Sequence, residues 1–412
     1  MTTYDIELTD IAHGGVCVGR ADDGRVVFAR FGLPGETVRV RETSQRAKLI
    51  RGDVVDVLSD PSEHRVATQW PEAGPLGVGG ADLGHVAFGF QAQWKTHVLR
   101  ETLARIGGRD LVEELRQRGI DCTVRAVDGD EATGGWASRT RVEFVVSDGG
   151  RPAMHREGTR DLVEVSGLPL AVEDIGELDL FGAWRHRWRP GERVRAVAPS
   201  GSDPVVAIGE SVWWAPGMEA ERYVREDVVA GGELYSYRVR AAGFWQAHHR
   251  AASELISSVL AMARIEPGEA VVELYAGAGM LTQPLAQATG PTGGVWAFEG
   301  VREATQDARA NLRDFPWAKV QTAAIGEHLA RDLGGDVIVA DPPRSGLGKK
   351  LARQLALAPV SRIVLVSCDV AAMARDVAAM REAGMTVTGL DAIDLFPNTH
   401  HVECVVAMSK RR

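Results

Sequence analysis

From about residue 244 onward the chain alternates short apolar runs with helix-forming segments, and this alternation restricts the fold more than any other feature. Residues 270–274, 294–298, 336–340 and 362–366 are nearly continuous apolar runs of strand length. Segments 248–263, 281–288, 302–313, 349–357 and 370–383 have helical character and separate them, and two final strands surround 391–394 and 402–407. A strand covered on both faces reads as an unbroken apolar run, so the pattern predicts an α/β fold with a doubly wound, mostly parallel sheet.

The preceding residues have a different grain. Residues 1–60 hold four or five short strands punctuated by turns at His13-Gly14-Gly15 and Leu33-Pro34-Gly35, the pattern of a small closed barrel of the OB type. Arg39, Arg41, Arg46, Lys48 and Arg51 gather on its later strands, either as an RNA-contacting face or as an ordinary solvated one. Residues 61–88 are rich in Gly and Pro. Residues 89–118 have helical spacing interrupted at Gly107-Gly108 and are expected to pack on the C-terminal domain. From about 120 to 240 the pattern returns to strands. The expected division is therefore a barrel over 1–60, a mixed α+β central domain over 61–240 and a Rossmann-like domain over 241–412. In the central part, Trp184-Arg185-His186-Arg187-Trp188-Arg189, with Arg193 and Arg195, interleaves rings with positive charge. Such a stretch serves RNA stacking and core anchoring equally well.

Composition removes several classes. The four cysteines, Cys17, Cys122, Cys368 and Cys404, form no CxxC pair, which excludes a disulfide framework and an all-cysteine metal site. No run of eighteen apolar residues spans a membrane, and the N-terminus lacks a secretory pattern, so a cytoplasmic protein is expected. The net charge of −9 argues against generic polyanion binding. Six of the 47 basic residues are lysine and 41 are arginine, a bias that suits phosphate contacts but also follows from genome composition.

In a doubly wound sheet, ligands lie beyond the carboxyl ends of the strands. After the first strand comes Tyr275-Ala276-Gly277-Ala278-Gly279, whose glycines permit close backbone approach. Thr282 stands where the dinucleotide fingerprint has Gly or Ala, which favours S-adenosylmethionine (SAM) over NAD. Glu299 ends the second strand twenty residues after Gly279, where an acid can hold ribose hydroxyls. Asp341 precedes Pro342-Pro343 and is thereby kept out of helical geometry. Cys368 lies between a strand end and a helix start, where the helix dipole can favour a thiolate nucleophile. Glu403 opens the last strand; taken alone it reads as a surface residue. The other three cysteines read as packing residues.

Together these segments resemble the SAM-dependent RNA uracil-5-methyltransferases, nearly end to end. Residues 1–60 resemble the family's TRAM domain, and Phe244-Trp245-Gln246 its motif at the start of the catalytic domain. Glu273 through Gly279 and Phe298-Glu299-Gly300 resemble the two SAM motifs. Asp341-Pro342-Pro343-Arg344, Val366-Ser367-Cys368-Asp369, Asp394-Leu395-Phe396-Pro397 and His401-Val402-Glu403 complete the set. The resemblance implies SAM as cofactor, held with the substrate by Gln246, Tyr275, Gly277, Gly279, Glu299 and Asp341. It implies Cys368 as nucleophile, Glu403 as base and RNA as partner, ribosomal before transfer RNA, with the protein acting as a monomer. Two departures stand out. No cysteine occurs between Cys17 and Cys122, so the iron–sulfur cluster common in the family is not expected, and no other metal site is. Residues 322–326 lack the family's acid after the third strand, leaving the adenine contact unassigned. Methylation of transfer RNA uridine, of RNA cytosine at carbon 5, and RNA binding without catalysis are the alternatives.

Overall fold

The structure is a computed structural model that describes residues 2–46, 48–184 and 186–410. Ala47 and Arg185, each inside a stretch read above, lie outside the described residues, as do Met1, Arg411 and Arg412.

Strands β1 (Thr3–Ala12), β2 (Val16–Arg20), β3 (Val26–Arg30), β4 (Thr37–Arg46) and β5 (Leu49–Ser59) close into a barrel in the order β1-β2-β3-β5-β4. Alternate residues such as Ile6, Leu8, Val38 and Val40 fill its interior. Helix α1 (Phe88–Thr102) follows, then a π-helical turn (Leu103–Gly107) and α2 (Arg109–Gln117). Next come a short strand, β6 (Val124–Ala126), then β7 (Arg141–Val146), β8 (Pro152–His155), β9 (Leu162–Glu164), a single helical turn α3 (Glu173–Gly176), β10 (Arg193–Val197), β11 (Val205–Ile208), β12 (Ser211–Ala215) and β13 (Met218–Glu219). Strands β7 to β13 make one antiparallel sheet. Trp184 and Trp188 stack within its core beside Phe144, so the rings of the tryptophan–arginine stretch anchor the domain and are not free to stack on bases.

A hairpin, β14 (Tyr223–Ala230) and β15 (Glu233–Arg240), leads into the C-terminal unit. That unit comprises α4 (Ala251–Ala263), β16 (Ala270–Leu274), α5 (Thr282–Thr289), β17 (Gly294–Glu299), α6 (Arg302–Asn311), β18 (Ala318–Thr322), α7 (Glu327–Arg331), β19 (Val337–Ala340), α8 (Lys349–Leu357), β20 (Arg362–Ser367), α9 (Val370–Glu382), β21 (Met385–Asp394) and β22 (Glu403–Lys410). The sheet order is β18-β17-β16-β19-β20-β22-β21-β6, parallel from β18 to β20 with β22 antiparallel to both neighbours. Successive strand residues go to opposite faces. Val271, Val337 and Val364 pack towards α4 and α5, whereas Val272, Ile338 and Ile363 share a core with α8, α9, α1 and the barrel.

Two features differ from the division read from sequence. β6, inside the expected central segment, pairs in parallel with β21 and forms the edge of the C-terminal sheet. The β14–β15 hairpin packs on α4 and α6, so it sits with the C-terminal unit although it precedes residue 241. Helices α1 and α2, with the π turn between them, lie against α9 and the barrel. Among the described residues, no helix is long and apolar enough to cross a membrane.

Candidate active site

The sheet reverses its winding between β16 and β19, which opens a crevice at their carboxyl ends. The turn after β16 passes through left-handed backbone at Tyr275 (φ 66°), Gly277 (φ 56°) and Gly279 (φ 89°). At Gly279 an added Cβ would also stand 3.4 Å from Ala308, so the glycine serves both conformation and packing. The Glu299 carboxylate accepts from the Gly277 N–H at 2.9 Å and the Val301 N–H at 2.7 Å, bracing the turn from the end of β17. Glu273 is buried within β16, and its Oε2 has no partner. Burial, opposed by the Thr282 hydroxyl and reinforced by the charges of Asp341 and Glu299, pushes its pKa up to about 8. Burial raises Asp341 to about 7.

Cys368 and Glu403 meet through strand register. Ser367 stands opposite Cys404 in the β20–β22 pair, so the next residue of β20's path, Cys368, faces Glu403. Glu403 is buried rather than a surface residue, and burial together with the Asp341 charge lifts its carboxyl well above the ordinary range. The Cys368 thiol is not a preformed thiolate: burial, then the charges of Glu403 and Asp341, push it up to about 12, against the opposing pull of Arg344. The dipole expected to activate it is engaged elsewhere. Asp369 caps α9, its carboxylate accepting from the Ala372 N–H at 2.7 Å.

Two elements distant in sequence hold these loops. From α1, Lys95 donates to Asp394 Oδ1 at 2.5 Å and to the Phe396 carbonyl at 3.0 Å. Gln91 donates to Asn398 Oδ1 at 3.0 Å and accepts from the Asn398 N–H at 2.8 Å. From the barrel, the β1–β2 turn brings His13 Nε2 to 3.6 Å from Asp369 Oδ2. Gly15 in that turn has φ 69°, and a Cβ there would stand 2.9 Å from Asp82 and 3.1 Å from His400, which are hydrogen-bonded to each other. Gln246 is half-buried between β15 and α4, and among the described residues its side chain makes no hydrogen bond. Its neighbour Trp245 is buried near Met280 and Leu281, just past the glycine turn.

Sequence reasoning did not single out Glu273, Lys95, His13 or Asp82 as site residues. A carboxylate inside the apolar run Ala270–Leu274 was a readable signal for Glu273; the other three depend on tertiary contacts with no local signature.

The charge of Asp341 raises both Glu273 and Glu403 at this crevice, and one buried carboxylate oxygen lacks a partner. The site therefore favours a cationic ligand. SAM carries a sulfonium and an ammonium group and fits this donor set, with Glu273, Glu299, Asp341 and the Tyr275–Gly279 turn as the residues that would hold it. Asp130, His248 and His249 are the one cluster of potential metal ligands among the described residues. His248 Nε2 is hydrogen-bonded to Asp130 and Nδ1 accepts from the Arg250 N–H, while the two rings stack nearly parallel at 4.6 Å. Both nitrogens are occupied, and stacked rings do not aim lone pairs at one point, so this cluster pins the chain before α4.

Comparison with known proteins follows the same lines. Residues 327–411 match the family model described as tRNA (Uracil-5-)-methyltransferase, and residues 1–55 match the TRAM domain. An uncharacterized RNA methyltransferase of Streptomyces coelicolor is 34% identical, the match covering 98% of this chain and 92% of the relative. The 23S rRNA (uracil(1939)-C(5))-methyltransferase of Alkalilimnicola ehrlichii is 28% identical over 99% of this chain and 96% of its own. The crystal structure of Pyrococcus abyssi tRNA (uracil-54, C5)-methyltransferase with S-adenosyl-L-homocysteine shares the fold, with a TM-score of 0.68, 19% identity, and coverage of 98% of this chain and 99% of that one.

Proposed function

The chain belongs to the family of SAM-dependent RNA uracil-5-methyltransferases, and on that premise we propose that it methylates carbon 5 of a uridine in 23S ribosomal RNA through a covalent link between Cys368 and carbon 6. The observation that carries this reading is the convergence of Cys368, Glu403 and Asp341 beside the glycine turn.

Carbon 5 of uracil is a weak nucleophile. Cys368 Sγ adds to carbon 6, and the electron pair of the 5,6 double bond moves onto carbon 5 and the carbonyl beside it. The thiol proton passes to the Glu403–Asp341 pair, whose raised affinity for protons suits it as acceptor. When bound, SAM supplies a methyl group on a positively charged sulfur. Once carbon 5 carries the methyl group, Glu403 removes the remaining carbon 5 proton. The electrons of that bond restore the double bond and expel Cys368 as thiolate. Two carboxylates can hold the two protons; one then returns to the thiol and one leaves to solvent. Burial of Glu403 and half-burial of Cys368 require the target base to leave its stack to reach them.

Ribosomal rather than transfer RNA is supported by the end-to-end match to relatives named for 23S rRNA. The test is methyl transfer from labelled SAM to 23S rRNA and tRNA transcripts, followed by nucleoside mapping. Label in 5-methyluridine of 23S rRNA is expected. Label confined to tRNA would overturn the choice of RNA, and 5-methylcytidine would overturn the choice of base.

A further inference from the structure

Between the seven-stranded sheet and the link from β15 to α4 lies a cavity of about 430 Å³ that the proposed reaction does not use. Trp70, Met154, Leu170 and Trp245 supply apolar and aromatic wall, and Phe244, 76% exposed, stands at its rim. Glycines 79 and 80 complete the lining, and a Cβ on Gly80 would stand 3.7 Å from the Trp70 ring.

Two side chains in this wall carry buried N–H donors without acceptors. Arg141 is 8% exposed; its Nη2 donates to Glu226 at 2.6 Å, but Nε and Nη1 have no partner. The buried Trp70 indole Nε1 is also unpaired. Unpaired buried donors are unfavourable, and in a cavity wall they are complementary to a ligand that presents acceptors. Much of the positive charge is already balanced. Arg141 is paired with Glu226, and Arg195 with Glu143 while it also donates to the Ala242 and Gly243 carbonyls. A neutral acceptor edge on a flat ring suits this lining better than a free phosphate.

The cavity adjoins the catalytic crevice. Trp245 shares a buried apolar cluster with Met280 and Leu281, just beyond the glycine turn. Arg139, also in the wall, lies within reach of the charge of Arg344, which in turn acts on the Cys368 thiol.

We propose that this cavity receives the base of a nucleotide flanking the methylated uridine, with its acceptor edge on Arg141 and Trp70 and its face against Phe244. The inference rests on the RNA reading above.

The test uses the full chain and fluorescein-labelled RNA heptamers with a central uridine, flanked either by uridines or by abasic residues. Stacking of one base is worth about five- to a hundredfold in affinity, and wild type should prefer the base-bearing heptamer in that range. Phe244→Ala, which trims an exposed ring, and Trp70→Phe, which removes one donor but keeps a ring, should bring the ratio towards one while leaving affinity for the abasic heptamer unchanged. Equal wild-type affinity for the two heptamers overturns the proposal. So does equal weakening of both by the variants, which would mean phosphate contact in place of base capture. Methyl transfer to rRNA is measured in parallel. A wild-type enzyme that methylates RNA but shows no flank dependence loses the cavity assignment alone, and one with flank dependence but no methyl transfer loses the functional reading alone.

Discussion

A thiol pushed up to about 12 is a poor nucleophile at neutral pH unless a base takes its proton as it attacks. The residues that disfavour the thiolate, Glu403 and Asp341, are the ones placed to accept that proton. Their protonation sets the pH dependence. Because Glu403 must be ionised to act as base, and burial with the Asp341 charge lifts its carboxyl well above the ordinary range, turnover should rise as pH is raised through neutrality. Asp341→Asn removes a neighbouring negative charge, so it should move this acid limb to lower pH even as it lowers the rate; steady-state pH profiles decide this. Glu403→Gln should cut turnover about 10²- to 10⁴-fold. It should also leave a protein–RNA adduct that persists on denaturing gels, because the carbon 5 proton is no longer removed. A cationic ligand prefers ionised carboxylates, and Glu273 and Asp341 are raised to about 8 and 7. SAM affinity should therefore increase roughly tenfold from pH 6 to pH 8, with proton release visible as a buffer-dependent heat in calorimetry.

At the scale of elements, α1 acts as a clamp on the loop between β21 and β22. Lys95 is fully buried against Asp394, and the pair fixes the approach to Glu403. Breaking a buried pair from one side leaves an uncompensated charge and typically costs about 3–5 kcal/mol. Lys95→Met should therefore lower the melting temperature clearly, whereas the double change Lys95→Met with Asp394→Leu should recover much of it; differential scanning calorimetry on both variants checks this. The pair joins residues 299 apart, and although Asp394 opens a motif that carries the resemblance, nothing local marks Lys95 as its partner. β16, β17, β19 and β20 were legible because they are largely buried on both faces, whereas the parallel edge strand β18, with one buried residue in five, was not. β6 escaped because three residues carry no usable periodicity. Trp184 and Trp188 left two readings open because a ring beside arginines looks the same whether it meets a base or a core; their stacking on each other settles it.

Across the whole molecule, the barrel, the central segment and the Rossmann-like unit all reach the same crevice. The barrel does so through His13 and Gly15, and the central segment through Arg139, which lies just before β7 and feels the charge of Arg344. Cys368 was legible from its place after a strand, and the glycine turn from its spacing. Glu403 was legible only through the resemblance, since its burial comes from strands on either side. The sequence also has no cysteine between Cys17 and Cys122, so purified protein should contain no stoichiometric iron and show no visible absorbance; metal analysis with a spectrum tests that. The central claim is that Cys368 bonds to carbon 6 of a uridine before methylation. Substrate RNA carrying 5-fluorouridine tests it most directly, because the fluorine cannot be removed as a proton is and the adduct cannot break down. With SAM present, wild type should form a denaturation-resistant complex with this RNA, and Cys368→Ala should form none and methylate nothing while still binding SAM. A Cys368→Ala protein that methylates normal RNA at the wild-type rate would contradict the account.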